Sequence, residues 1–295
     1  MRSLLLLPVL MLLSGCGFFE QPYRVPKGAQ ARAEVLAEIS SLVEQMNTKT
    51  LPSVRIMPHS KKPQYAWSSK IGGPAYWLKS EEAEYPKDPS GKPMHLAAQL
   101  NLRDMPALEG YPSFGLLQFF ISAGDLYGSD FDPPYSNKKP GYAVRYHETV
   151  LEDADKLVKI VPKRGEDDYL PISGEYSLTF ALEEQPMTPT DYRFEKLGVD
   201  FDSLSDDAWD YLYSDVLQAG SRMGGYSYFT QGDPRGWGEG EKEEWVMLFQ
   251  MDSHWSNDDG VEILWGDAGV ANWFIRPKDL EAKDFSKVWY TWDCH

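Results

Sequence analysis

The sequence predicts a strand-rich fold with flanking helices, built from two duplicated halves, and three observations predict it. First, the block S-K-I-G-G-P-A-Y-W at residues 69–77 returns 152 positions later, at 221–229, as S-R-M-G-G-Y-S-Y-F. Two further blocks follow in the same order: L-A-A-Q-L-N at 96–101 answers M-L-F-Q-M-D at 247–252, and G-L-L-Q-F-F-I at 115–121 answers G-V-A-N-W-F-I at 269–275. Offsets of 151 to 154, held over three ordered blocks, mark an internal repeat of about 69–126 and 221–280. Second, 10 Trp, 17 Tyr and 13 Phe among 295 residues favour pleated surfaces with large apolar contacts over a plain helical bundle. Third, the apolar runs at 94–102 and 116–121 are short and bounded by turn residues, the pattern of buried strands.

In chain order, Arg2 and the apolar run 4–13 form a signal-peptide pattern too short to span a bilayer. It ends in L-S-G-C, residues 13–16, which resembles the bacterial lipobox. That resemblance implies cleavage after residue 15, a diacylglyceryl group on Cys16 and a body anchored to a membrane while it folds in solvent. Loss of Arg2 with the signal would leave the mature chain near −17, against −16 for the whole. Gly17, where an Asp would resemble an inner-membrane retention signal, points to the outer membrane in a Gram-negative envelope. Cys294 is then the only thiol left, so no intrachain disulfide is expected.

Residues 16–28, with Pro22, Pro26 and Gly28, read as a tether, and 29–295 as one domain. Val35, Leu36, Ile39, Leu42, Val43 and Met46 recur at helical spacing and predict a helix over 31–47 with one buried face. Residues 51–68 contain Pro52, Pro58 and Pro63 without a period and are expected to wrap the surface. Gly72 and Gly73 mark a sharp turn or a close backbone approach, and the polar stretch 79–92 a loop. Residues 122–204 have little counterpart in the second copy and read as a connecting region with strands at 143–147 and 176–182; the pattern at 152–161 fits neither helix nor strand clearly. Ser205 is placed to cap a helix whose first turn holds Asp206 and Asp207 and which Gly220 stops. The aromatic segment 284–295 predicts a last strand.

The blocks quoted above, together with G-G-Y-x-Y-F-T-Q-x-D-P-R at 224–235, W-G-D-x-G at 265–269 and Y-x-W-D-C at 290–294, resemble the YwqG-like family of bacterial proteins over roughly residues 55–294. The resemblance implies an α+β fold with a large antiparallel-rich mixed sheet, here assembled from the two duplicated halves with flanking helices. It implies no activity, because this is a domain family of unknown function. The lipobox and tether lie outside the resemblance and set this chain in the envelope.

Motifs for chemistry are few. The histidines at 59, 95, 147, 254 and 295 have no zinc spacing, no G-x-S-x-G elbow occurs, and neither glycine-rich phosphate signature is present. Residues 252–260 fail as an EF-hand, since alignment on Gly260 sets Trp255 and Gly266 at ligand positions; an irregular calcium site from Asp252, Asp258, Asp259 or Asp267 is the alternative to a solvated acidic loop. No metal or other cofactor is expected. Gln99 and Gln250 occupy equivalent places inside apolar runs, where a buried amide either binds the backbone of the adjoining Gly-Gly turn or lines a cleft between the halves. Asp233, Arg235, Trp265 and Asp267 are features of the second copy without clear equivalents in the first, and asymmetry between copies is where function is expected to be grafted, although loop chemistry such as a turn at Asp233-Pro234 explains them nearly as well.

The net charge argues against nucleic acid and for a basic partner, with solubility as the plainer explanation. The expectation is a non-enzymatic, lipid-anchored envelope protein of the immunity type, binding a basic protein such as a toxin. The alternative is an envelope enzyme or glycan binder with Trp237, Trp265 and Asp267 around a sugar in a groove between the halves.

Overall fold

The computed structural model describes residues 29–129, 131, 140–166, 168–256 and 258–294. The signal segment, the lipobox, Cys16 and the tether therefore lie outside the described residues. The chain opens with helix α1 (Ala29–Thr48) and continues through β1 (Thr50–His59), β2 (Lys70–Gly72), β3 (His95–Asn101), β4 (Leu116–Ile121), β5 (Tyr142–His147) and β6 (Glu175–Pro186). Helix α2 (Asp206–Tyr211) precedes β7 (Arg222–Gly224), β8 (Val246–Asp252), the small hairpin β9 (His254–Trp255) and β10 (Glu262–Ile263), β11 (Val270–Ile275), helix α3 (Pro277–Glu281) and β12 (Trp289–Asp293). Among the described residues no helix is long and apolar enough to cross a membrane.

Ten strands form one sheet in the order β12-β11-β8-β7-β1-β6-β2-β3-β4-β5, every pairing antiparallel. The order reads alike outward from its centre: β1 and β6 pair from Thr50↔Pro186 to His59↔Ser177, and four strands extend on each side. The strand before each Gly-Gly block lies with the other wing, β1 beside β7 and β6 beside β2. The sheet curls nearly into a barrel, bringing its two edges together. Tyr142 of β5 lies 5.1 Å from Tyr290 of β12, and its hydroxyl donates to the Val288 carbonyl. Across the interior, Phe119 of β4 meets Phe249 and Trp273 at 4.7 and 5.3 Å. This inner face is the main core, where Val54, Ile56, Ile71, Leu100, Met223 and Trp265 also pack.

Two segments differ from the sequence expectation. Residues 50–59 do not wrap the surface; they are a central strand. Prolines argue against a central strand because they cannot donate to the ladder. Here the Ile56 N–H points toward β7, to the Ser221 carbonyl, so the even-numbered residues of β1 face that neighbour. β7 pairs only with residues 53–55, and Pro52 and Pro58 fall beyond its ends, where no donor is required. Likewise 122–204 is more than a connection, because β6 within it is the longest strand and half of the central pair. The stretch 152–161 holds a short 3-10 turn, Ala154–Lys156.

Helix α1 buries Val35, Ile39, Leu42 and Met46 in a second cluster with Phe194, Ala208, Leu212 and Tyr226. Ser205 caps α2, its side chain accepting from the Ala208 N–H; the helix widens into a π-helical turn over Leu212–Val216 and ends there, four residues before Gly220. Both Gly-Gly pairs have left-handed φ between 68° and 78°. A Cβ at Gly72 would stand 2.2 Å from the Gly174 carbonyl oxygen, so both the turn and the close approach demand glycine.

Candidate functional site

The two glutamines are built into the sheet. The Tyr76 N–H donates to Gln99 Oε1 at 2.8 Å, while Gln99 Nε2 donates to the carbonyls of Ala66 and Ser68. Gln118 of the adjacent strand completes the clip by donating to the Tyr76 carbonyl. In the other wing Tyr228 N–H donates to Gln250 Oε1 at 2.8 Å, Gln250 Nε2 to the Gly220 carbonyl, and Asn272 to the Tyr228 carbonyl. Each amide pair thus clamps the chain around its Gly-Gly turn against the outer face of the sheet. Neither glutamine lines a cleft; both are fully buried.

Trp265 and Asp267 separate. Trp265 is 0% exposed and lies in the core beside Tyr127 and Trp273, whereas Asp267 is on the surface. Asp252 turns inward to accept from the Gly220 N–H at 2.7 Å, and Asp259 pairs with His254 at 2.6 Å. Among the described residues no group of three or more His, Cys, Asp or Glu side chains is gathered as metal ligands.

Asp233 and Arg235 come together in an ionic knot with two residues that the sequence reading passed over, Asp191 and Arg193. Asp233 caps a 3-10 turn with Pro234 at its first position, and its Oδ1 accepts from both the N–H and Nε of Arg235, at 3.0 and 2.9 Å. Asp191 repeats this geometry: its Oδ1 accepts from the Arg193 N–H and Nε at 3.1 and 2.7 Å. The turns interlock, because Arg235 Nη2 donates to Asp191 Oδ2 at 2.8 Å and the Tyr192 N–H donates to Asp233 Oδ2 at 3.0 Å. The recurring signal is D-x-R, D-Y-R at 191–193 and D-P-R at 233–235, too short to stand out without the geometry.

Asp191, Asp233 and Arg235 are all buried. Burial alone would raise the Asp191 carboxyl, but Arg235 and Arg193 beside it outweigh this and hold it well below the usual carboxylate range. Burial would likewise lower the Arg235 guanidinium, and Asp233 and Asp191 hold it above its ordinary value instead. The knot thus matches two carboxylates with two guanidinium groups, which suits it to fixing two loops.

Above the knot lies a cleft of about 440 Å³. Its walls are the segment 189–195, the loop 228–237, and Tyr213 and Leu217 from the end of the second helical stretch. It lies wholly on the side of the second repeat rather than between the halves, and Trp265 and Asp267 do not line it. Trp237 and Tyr213 stand at its rim, 56% and 37% exposed, and Glu195 is exposed beside them. The strand-end carboxylate Asp293 secures the 230–231 wall by accepting from the N–H groups of Thr230 and Gln231 at 2.9 and 2.8 Å. Burial pushes Asp293 up to about 6.

The model of a domain of unknown function (DUF1963) matches residues 69–294. The chain belongs to this family. No curated protein matches it. The DUF1963 span takes in both Gly-Gly blocks, both D-x-R turns and every wall of the cleft, and it begins after β1, so the first strand of the central pair precedes the matched region. Membership assigns no reaction. What DUF1963 contributes in this chain is a scaffold whose wings carry similar amide clips and whose second wing carries the ionic knot and the cleft with Trp237 at its rim.

Proposed function

We propose that the protein is a non-enzymatic binding module held to the cell envelope through lipidated Cys16, at the outer membrane facing the periplasm in a Gram-negative cell, and that its partner is a basic protein, as for an immunity protein neutralising a toxin. The observation that carries the reading is the acidity of the segment that leaves the cleft at Glu195. The knot beneath it consumes its own carboxylates, while the segment 195–215, which reaches the cleft at Glu195 and Tyr213, holds seven acids against one lysine. Of those acids Glu195, Asp200, Asp202, Asp206, Asp207 and Asp215 are exposed. Such a surface steers a cationic protein and rejects anionic ones. The sheet is read as two duplicated halves, supported by its strand order and by the equivalent clips of Gln99 and Gln250. The glycan-binding alternative loses two of its three side chains, Trp265 to the core and Asp267 to a surface outside the cleft.

The test is to purify the products of the genes flanking this one and titrate each against the chain by calorimetry. One-to-one binding by a basic product, weakened by salt, is expected; absence of any binding product overturns the reading. The anchor is tested separately by fractionation. Cys16→Ser is expected to move the protein from the membrane to the soluble fraction, and an unchanged distribution would refute lipid anchoring.

A further inference from the structure

The rim of the cleft is built to present one aromatic face. Trp237 is 56% exposed, yet its ring rests on the backbone of Gly232, where an added Cβ would come within 3.1 Å of the ring and where φ is +132°. The indole is thus seated on bare main chain. Around it the protein holds its own cations on aromatic faces: Lys196 Nζ lies 4.4 Å and the Arg235 guanidinium 4.9 Å from the Tyr192 ring, and Arg193 lies 4.5 Å from Tyr226. Among the described residues no cation is placed over Trp237. Glu195, exposed at the same cleft, has no positive partner among the described ion pairs.

We propose that the cleft seats an arginine side chain of the basic partner, its guanidinium stacked on Trp237 and paired with Glu195; the inference rests on the binding reading above. An arginine fits better than a lysine because a planar guanidinium stacks on indole and still offers a fork of donors to a carboxylate. A cation fits better than a neutral sugar because only a cation forms an ion pair with the Glu195 carboxylate.

The probe is a six-arginine peptide, titrated by calorimetry against the full chain and against Trp237→Ala and Glu195→Gln, with a six-lysine peptide and chitotetraose as comparisons. Unchanged thermal midpoints confirm that these surface variants fold. One-to-one binding of the arginine peptide is expected, weakened at least about tenfold by Trp237→Ala and several-fold by Glu195→Gln, with the lysine peptide weaker. Equal binding by Trp237→Ala overturns the cleft as the docking place while leaving an acidic binding surface intact. No binding by the peptide, when a basic flanking-gene product does bind, overturns the arginine anchor alone. If neither binds, the underlying reading fails too. Binding of chitotetraose that Trp237→Ala abolishes replaces the arginine with a sugar ring.

Discussion

Arg235 joins the two D-x-R turns beneath the cleft. Its guanidinium faces Asp233 and Asp191 in a site closed to solvent, so truncation would leave two buried carboxylates with much of their compensation gone. Arg235→Ala is expected to cost about 3–5 kcal/mol in denaturant unfolding, and Arg193→Ala, whose side chain is partly exposed, clearly less. A second expectation concerns Asp252, which burial pushes up to about 6. A carboxyl whose pKa is raised by folding stabilises most below its unfolded value and loses that contribution as the pH rises through about 6. Asp252→Asn should therefore gain on the order of 2 kcal/mol at pH 7 and nothing at pH 4; the matching position of the first repeat is already Asn101. His147 acts in the opposite sense. Burial and Arg145 push it down to about 4, so its contribution is present above the ordinary histidine range and is lost as the pH falls through about 4. Unfolding curves of Asp252→Asn across this range check the sign, and a variant that is less stable than the parent at pH 7 would contradict it.

Among the elements, the amide clips explain why strands β3, β4, β8 and β11 are buried on both faces yet carry glutamine and asparagine. One face meets the curled core, and the other holds down the segment that follows each Gly-Gly turn. Gln99→Ala or Gln250→Ala strands a buried tyrosine N–H and is expected to cost about 1–3 kcal/mol, measured by chemical denaturation; no loss in either variant would deny the clip a structural part. These elements were legible because apolar runs and equivalent positions are local signals. β1 was hidden, since three prolines in 51–68 speak against a strand unless it is known that its neighbour β7 is only three residues long. The knot was half legible: Asp233-Pro234-Arg235 reads as a turn, but its partner at Asp191 is 42 positions away and only the packed chain joins them. Trp265 was misleading for a related reason. Aromatic residues that fill a core and those that face a ligand look the same in a sequence.

At the scale of the whole molecule, β1 and β6 pair with each other and each also binds the wing that lies farther from it along the chain, so the two wings share one sheet. Thermal unfolding is expected to be a single cooperative transition whose calorimetric and van't Hoff enthalpies agree; two separated transitions would contradict the exchanged arrangement. The same placement makes the two wings one continuous sheet, with the amide clips committed to folding and the cleft on one side. Docking of a basic partner at this cleft, with Trp237 at its rim, is the proposal that reaches across the whole molecule. Hydrogen–deuterium exchange of the full chain with and without saturating six-arginine peptide tests it most directly. Protection confined to 189–196 and 228–240 is expected, and protection elsewhere with these segments unchanged would refute docking at the cleft.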